Sequence, residues 1–516
     1  MFTTLAAIFL ALQPTATEPR VGYLDSVTGD DLDSGFTAEE AVKTPERALT
    51  LIKQFGVRRL LVARGSAWTN RSFASQYGSM DLSGLEGAVL IEADGTGTAP
   101  RFTFTDAYQF PHCLRLDGDG PFPPLTFRGL AFENPRPQTA TAGKTMLIVR
   151  PGYHGLTLDT MEFGGGVYGI GINGCKDATL RRVYVHDIYP PADRHADCHG
   201  IYGAANVRLW LDQCVVLRTG ANPLYADSQW QRNQMAYLHG NNVGTKVTGC
   251  VFALGAHAGI QTRGNGPPTA DDADPGFILD NVVLDVPWGI ALGNNYDVGT
   301  LGNRPWTGEC ARNVVMHTDA HTPRIVNVGI GTEQSVAADI HDNFVLLGKG
   351  GPDLTAALYL GSTVNSPRVT SNVAHGWAGY GLNVEMATGG FIGENRLIGN
   401  TTALNLKQPN TMFATWDLNW YTTSDDAKGW VRVNHSAYGG AEMITTYTQD
   451  GHTTTTASRT WPPPAFWAGA PSLRAYGLSL GIGNLTSRTF AEAAARGDPW
   501  ATPAELRKFV VGFYGE

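Results

Sequence analysis

His195, Asp197 and His199 stand two residues apart, just before Gly200. On an extended backbone alternate side chains share a side, so the three would face one way and could serve as a general acid and base near neutral pH. The same His-x-Asp-x-His spacing also suits a divalent ion, or a polar loop in which one histidine closes a turn before Gly200. A second insertion, residues 222–242, carries Asp227, Trp230, Tyr237 and His239. Counted back from Cys250, its strand can be set with Tyr237 and His239 inward or with Leu238 inward. If His239 faces out, it falls one repeat from His199 and one from Arg263. A histidine, tyrosine and arginine cluster of that kind suits removal of a proton beside a uronate carboxylate, with Arg263 neutralising the carboxylate and the developing charge. That is lyase or epimerase chemistry. Hydrolysis would instead use two carboxyl groups, roughly 5 to 5.5 Å apart for retention or 6.5 to 9.5 Å for inversion. Asp187, Asp193, Asp197, Asp227, Asp271, Asp272 and Asp274 are the candidates, and they form no motif.

These side chains need a frame, and residues 145–408 offer one in short apolar runs punctuated by Gly and Asn. One segment type recurs with Met161, Val183, Cys214, Cys250, Asn281, Asn313, Asn343, Asn372 and Asn395 at its bend, 22 to 36 residues apart. Asn stacked at a bend can bond the backbone and its neighbours above and below. Between these segments lie YGIGIN (168–173), HGIYGA (199–204), AGIQTRG (258–264), WGIALGN (288–294), AALYLGS (356–362) and YGLNVEM (380–386). Their alternation predicts strands with one face inward, so each repeat holds at least two strands. One coil cannot bury its own apolar face, which is the reason such units stack. Taking every second position of the second segment type places Tyr202, Gln261, Arg263, Tyr359, Asn383, Glu385, Asn405 and Lys407 outward. With rungs about 4.8 Å apart, that lane of aromatic, amide and cationic groups suits a linear carbohydrate, and Trp230 and Tyr237 join it as sugar contacts.

The xGI alternation, the Asn bend and the small or aliphatic inward positions resemble the right-handed parallel β-helix superfamily, the pectate-lyase-like solenoids, over about residues 20–408. The resemblance implies an all-β fold, a right-handed parallel β-helix. It brings in polysaccharide lyases, glycoside hydrolases, uronan epimerases and bacteriophage tailspikes, and it transfers no catalytic residue.

The ends fit that frame. Thr44 is a good N-cap, Pro45 suits the first helical position, and Ala48, Leu49, Ile52 and Phe55 form a stripe, predicting a helix that caps the open end of the coil. The Asp-rich residues 29–35 could hold Ca²⁺, yet lack the EF-hand pattern; an Asx-rich turn is the other reading, and beyond this segment and the His195, Asp197 and His199 set no cofactor or metal site is implied. After residue 408 the repeat fades. Trp416, Trp420, Trp430, Trp461 and Trp467 would form a sugar platform or fasten the segment to the coil, and boxes at Thr489/Glu492 and Thr502/Glu505 predict two short helices that shield the far end. The divisions are 1–20, a signal peptide or N-terminal arm; 21–145, cap and first coils; 146–408, coil core; 409–516, flank and helical cap.

Composition agrees. Of 516 residues 62 are Gly and only 16 % are charged, which excludes general disorder. A net charge of −9 without a Lys/Arg block argues against nucleic acid. The apolar run at 5–12 is too short to span a bilayer. Six cysteines without CxxC spacing predict neither a disulfide scaffold nor a zinc site; Cys214 and Cys250, at one bend position on adjacent repeats, read as a buried stack or a disulfide. The leading expectation is a secreted or otherwise extracytoplasmic enzyme acting on an acidic polysaccharide by β-elimination. A carbohydrate-binding protein or tailspike on a virion surface, which a homotrimer would favour, and a purely structural solenoid are the alternatives.

Overall fold

The computed structural model describes residues 19–74, 78–105, 107–118, 120–135, 143–190, 197–220, 233–240, 242–263, 275–293, 305–318, 326–349, 354–407, 415–423, 431–433, 436–438, 454–455 and 470–514. Each coil passes through three sheets in turn. Thr157–Asp159, Glu162–Gly165 and Tyr168–Asn173 form one circuit, and Thr179–Arg181, Tyr184–Ile188 and His199–Ala204 form the next. Leu158 pairs with Leu180, Phe163 with Val185 and Ile170 with Ile201, all in parallel. Stacking gives sheets of 16, 14 and 13 described strands, and Val431–Val433 with Ser436–Tyr438 is the one antiparallel pairing among them. The chain is a right-handed parallel β-helix, the hand that parallel crossovers overwhelmingly take.

Two sequence features build the coil. At the bend between the first and second sheets, the Asn281 N–H and Nδ2 both donate to Asn313 Oδ1 at 3.0 Å, and Asn313 repeats this to Asn343 at 2.9 Å. The ladder runs on through Asn372 and Asn395 to Asn419. Earlier, cysteine takes the place of Asn: the Cys214 N–H donates to Cys250 Sγ at 3.3 Å, and all six cysteines are buried and free. The pair is therefore a stack. In the third sheet the recurrent glycine lets a second-sheet valine approach closely; a Cβ on Gly200 would lie 2.6 Å from Val216 Cγ1, and one on Gly289 2.5 Å from Val315 Cγ1. Ile201 beside it also points inward, fully buried. The strict alternation therefore breaks at the glycine, and His199 and Tyr202, three apart, share the outer face with ring centroids 5.5 Å apart.

Helix α1 (Pro45–Phe55) caps the N-terminal end, with Thr44 as N-cap accepting from the Arg47 N–H. Its buried stripe is Ala48, Leu49, Leu51 and Ile52; Phe55 is 41 % exposed, because the chain turns at Gly56 and the ring packs edge-on to Phe36 outside the core. In the preceding Asp-rich segment Asp31 accepts from the Lys43 and Thr44 N–H groups at 2.9 Å and Asp30 from the Leu32 N–H, which is turn and cap chemistry. The coil continues past residue 408, since Thr415–Asp417, Trp420–Thr423 and Val431–Val433 extend the three sheets. Trp416 is buried in the main core and Trp420 lies under the Arg396 guanidinium; Trp430, Trp461 and Trp467 lie outside the described residues.

Three helices follow: α2 (Leu473–Ser479), α3 (Ser487–Arg496) and α4 (Pro503–Tyr514). The α3 box is Thr486 with Thr489, one turn earlier than Thr489 with Glu492, since Glu492 is drawn to Arg488 at 2.7 Å. Thr502 accepts from the Glu505 N–H as expected. These helices lie along the flank of the coil rather than over its end. Outward side chains of the second sheet, among them Val215, Leu217, Val251, Leu284, Met316, Phe344 and Leu346, bury against Phe490, Leu506, Val510 and Tyr514. Ser487 Oγ donates to Asp285 at 2.5 Å and the Tyr514 hydroxyl meets His375 Nδ1 at 2.8 Å. No described helix is long and apolar enough to cross a membrane.

Candidate active site

The outer face of the third sheet carries two adjacent lanes of polar side chains, set by strand pairing. Tyr202 pairs with Tyr237, and Tyr237 with Gln261; further along, Tyr359 pairs with Asn383 and Asn383 with Asn405. Gly203 pairs with Leu238, which is buried inside, so Tyr237 and His239 face outward. Two residues along the strand, consecutive rungs bring up His239, Arg263, Gly293, Glu333, Gly361, Glu385 and Lys407. The backbone bonds Arg263 N to Leu238 O, Gly293 N to Thr262 O, Glu333 N to Leu292 O, Gly361 N to Thr332 O, Glu385 N to Leu360 O and Lys407 N to Val384 O hold that order.

At one end sits an aromatic and cationic cluster. The His199 ring lies 5.3 Å from Tyr168, 5.5 Å from Tyr202 and 5.0 Å from Tyr237. It is only 2 % exposed; burial, and then the neighbouring His239, pushes its pKa down to about 3, so it is neutral. Its Nδ1 has no hydrogen-bond partner among the described residues. Arg263 Nη1 donates to His239 Nε2 at 3.3 Å, and the guanidinium lies 5.4 Å from the Tyr237 ring centre. An accepting Nε2 makes His239 a neutral imidazole with its proton on Nδ1. Burial raises the Tyr202 phenol above its ordinary value, Arg263 pulls the other way and Asp197 adds to the rise. Asp197, half-buried, also raises Tyr168, after burial itself.

Further along the same lanes is a second cluster that the sequence reading only half saw. Tyr359 reaches hydrogen bonds with both Glu333 and Glu385, two rungs apart and hence about 9.6 Å between Cα atoms. Burial, then the charge of Glu385, raises the Glu333 carboxyl above its ordinary value against the pull of Tyr359. Lys407 Nζ holds Glu385 at 3.0 Å. Gly361 stands between the two glutamates, where a Cβ would fall 2.6 Å from Glu333 Cγ. Between the clusters Trp288 lies over Gly331, and its indole meets Tyr359 edge-on at 6.2 Å.

The structure thus gathers His199, Tyr202, Tyr237, His239, Arg263 and Asp197 at one place and Tyr359, Glu385 and Lys407 at another. Gln261, Tyr359 and Asn383 are outward but buried, at 3 %, 4 % and 2 % exposure. His195 and Trp230 lie outside the described residues, as do Asp193, Asp227, Asp271, Asp272 and Asp274. Asp187 is not on this face: it sits on the second sheet, holding Arg218 at 2.6 and 2.7 Å, His186 at 2.9 Å and the Tyr189 hydroxyl at 2.8 Å. Glu333 was missed because it lies one residue past the strand Val326–Thr332, whose outward positions are Val326, Val328 and Gly331; the acidic residue after GIGT is its only sequence signal. Glu133, Glu162 and His186 bring ligand atoms within 4.8 Å of one another on the second sheet, but Arg101 pairs with both glutamates and Asp187 with His186, so charge there is already balanced.

No family model matches the chain, and no curated protein does. Solved structures do. Tailspike protein 3 of bacteriophage CBA120 is 13 % identical over 86 % of this chain and 65 % of its own, with a TM-score of 0.49. The lacto-N-biosidase from Eubacterium ramulus is 12 % identical over 84 % of this chain and 67 % of its own, TM-score 0.41. The pectate lyase Pel9A is 10 % identical over 91 % and 86 %, TM-score 0.30. This chain spans about two thirds of the first two.

Proposed function

We propose that the protein acts on a uronate-containing polysaccharide laid along the third-sheet face, outside the cytoplasm, and that it cleaves the chain by β-elimination. The observation that carries this reading is the Arg263 to His239 contact at 3.3 Å. A uronate carboxylate competes for the guanidinium, a bidentate donor, and in taking it uncovers the lone pair of His239 Nε2. That nitrogen then removes the proton from C5. The C5 electron pair forms the C4–C5 double bond while Arg263 holds the charge that spreads onto the carboxylate, and the bond from C4 to the bridging oxygen breaks. Tyr202, its phenol kept protonated by burial, faces His239 with ring centroids 6.2 Å apart and supplies the proton to the leaving oxygen. His199, neutral and buried, supports Tyr202 and Tyr237 from below.

A specific observation favours a second reading, hydrolysis at Glu333 and Glu385. One carboxyl is raised by burial and a neighbouring charge and the other is held by Lys407, the divergence of environments that separates a general acid from a general base. One experiment decides between them. The purified protein is incubated with uronate-containing and neutral polysaccharides, and unsaturated-uronate absorbance and reducing ends are followed together. A rise in both, reduced by about 100-fold or more in Arg263→Ala and left intact in Glu333→Gln, establishes elimination. Reducing ends without absorbance, lost in Glu333→Gln, overturn it in favour of hydrolysis.

A further inference from the structure

The first sheet, on a different side of the coil, carries an outward row with another character. Thr179, Trp210, Lys246 and Phe277 pair in register across four consecutive rungs. They line a groove of about 290 Å³ together with Asp177 and Arg208. Trp210 is 41 % exposed. Its indole N–H reaches across to Thr248 Oγ1 on the next rung at 2.8 Å, which ties the partly exposed ring to the sheet. Lys246, exposed and one rung on, has its ammonium 5.5 Å from the Phe277 ring centre and no carboxylate partner among the described residues. Arg208 is held by Asp177 at 2.5 and 2.8 Å, which fixes its guanidinium at the groove edge. The corner residue between Arg208 and Pro275 is Gly244, at φ 63°, a left-handed conformation that favours glycine.

An exposed indole beside an aromatic ring and a cation with no carboxylate partner among the described residues suits a partner that is flat and apolar on one side and anionic on the other. We infer that this row is an accessory binding site for an anionic polysaccharide, with a sugar ring stacked on Trp210 and its carboxylate on Lys246. Four rungs at about 4.8 Å each accommodate roughly three sugar units in line with the coil axis. The inference rests on the uronate reading for its ligand class and not on any cleavage chemistry. Its role is to hold a long chain on the protein while a distant stretch of the same chain, or another chain, occupies the third-sheet face.

The test is affinity electrophoresis of the full-length protein through gels containing alginate, polygalacturonate or dextran, run beside turnover of the same polymers and of short uronate oligomers. Retardation by at least one uronate polymer is expected, and not by dextran. Trp210→Ala and Lys246→Ala should each weaken it about tenfold, with unchanged melting and circular dichroism, while turnover of short oligomers stays at the native level. Arg263→Ala should remain retarded. Retardation unaffected by either substitution overturns the accessory site while leaving the catalytic reading standing. Retardation lost in Trp210→Ala in a protein that turns over nothing upholds the site and sinks the lyase. Equal retardation by dextran, insensitive to Lys246→Ala, overturns the anionic ligand class, and no retardation of the native protein by any polymer overturns the site.

Discussion

His257 shows how a single buried side chain links this fold to pH. It is 8 % exposed, beside Trp288 on the third-sheet rim, and burial pushes its pKa down to about 4 from the ordinary 6.5. Because the folded value lies below the unfolded one, the unfolded chain binds the proton more tightly. The stability it contributes is complete above pH 6.5 and is lost as the pH falls from about 6.5 through about 4, a loss on the order of 3 kcal/mol. His375, down to about 4, and His199, down to about 3, act in the same direction. The melting temperature should therefore fall steadily between pH 7 and 4.5, and His257→Gln should flatten that slope; an unchanged slope would mean that the ring is solvated. The sequence showed these histidines as residues but not their burial. His199 was legible as chemistry from its spacing to Asp197, whereas its enclosure by Tyr168, Tyr202 and Tyr237 comes from three successive rungs.

Among the elements the asparagine ladder is the most exacting. Asn313 Nδ2 donates to Ile278 O and Asn343 Oδ1, its N–H donates to the same Oδ1, and its own Oδ1 accepts two bonds from Asn281. Asn313 is fully buried, so truncation strands donors and acceptors that water cannot reach, at a cost of about 1–3 kcal/mol for each group left unpaired. Asn313→Ala should lower the urea midpoint by the equivalent of about 2–4 kcal/mol. A shift below 1 kcal/mol would show that the bend re-pairs through its backbone. The ladder could be read in advance because identical residues recur at the bend of each coil. Its cysteine start was legible as a shared bend position, with stack or disulfide left open until both thiols proved free; the separate Asn206 to Asn242 pair at another corner was not legible, since two members make no recurrence. The α3 cap moved to Thr486 for a local reason: three threonine or serine candidates lie within four residues, and packing on the flank chooses among them.

At the scale of the whole molecule, the C-terminal helices decide what the coil shows to solvent. The second sheet presents an apolar stripe over many rungs, and Phe490, fully buried, sits in the middle of its cover. Phe490→Ala should cost about 3–5 kcal/mol, felt first as detachment of the helical flank, because a solenoid is held together by neighbour contacts and loses parts separately. Binding of a hydrophobic dye should rise before the strand signal falls; simultaneous loss of both would show flank and coil to be one cooperative unit. The sequence by itself determined that the chain coils, since a bend residue and an xGI segment repeated along it leave each unit dependent on its neighbours. It also marked the outward lane of Tyr202, Gln261, Tyr359, Asn383, Glu385 and Lys407. Only the tertiary structure decided that His239 faces out, because a shift of one residue sends every side chain of a strand to the other face and the insertion before it hides the count. It alone brought Glu333 beside Glu385, on rungs separated by coils of unequal length, and laid α3 and α4 along the flank. Those are contacts between positions far apart in the chain, selected by packing over the whole surface, and no local pattern encodes them.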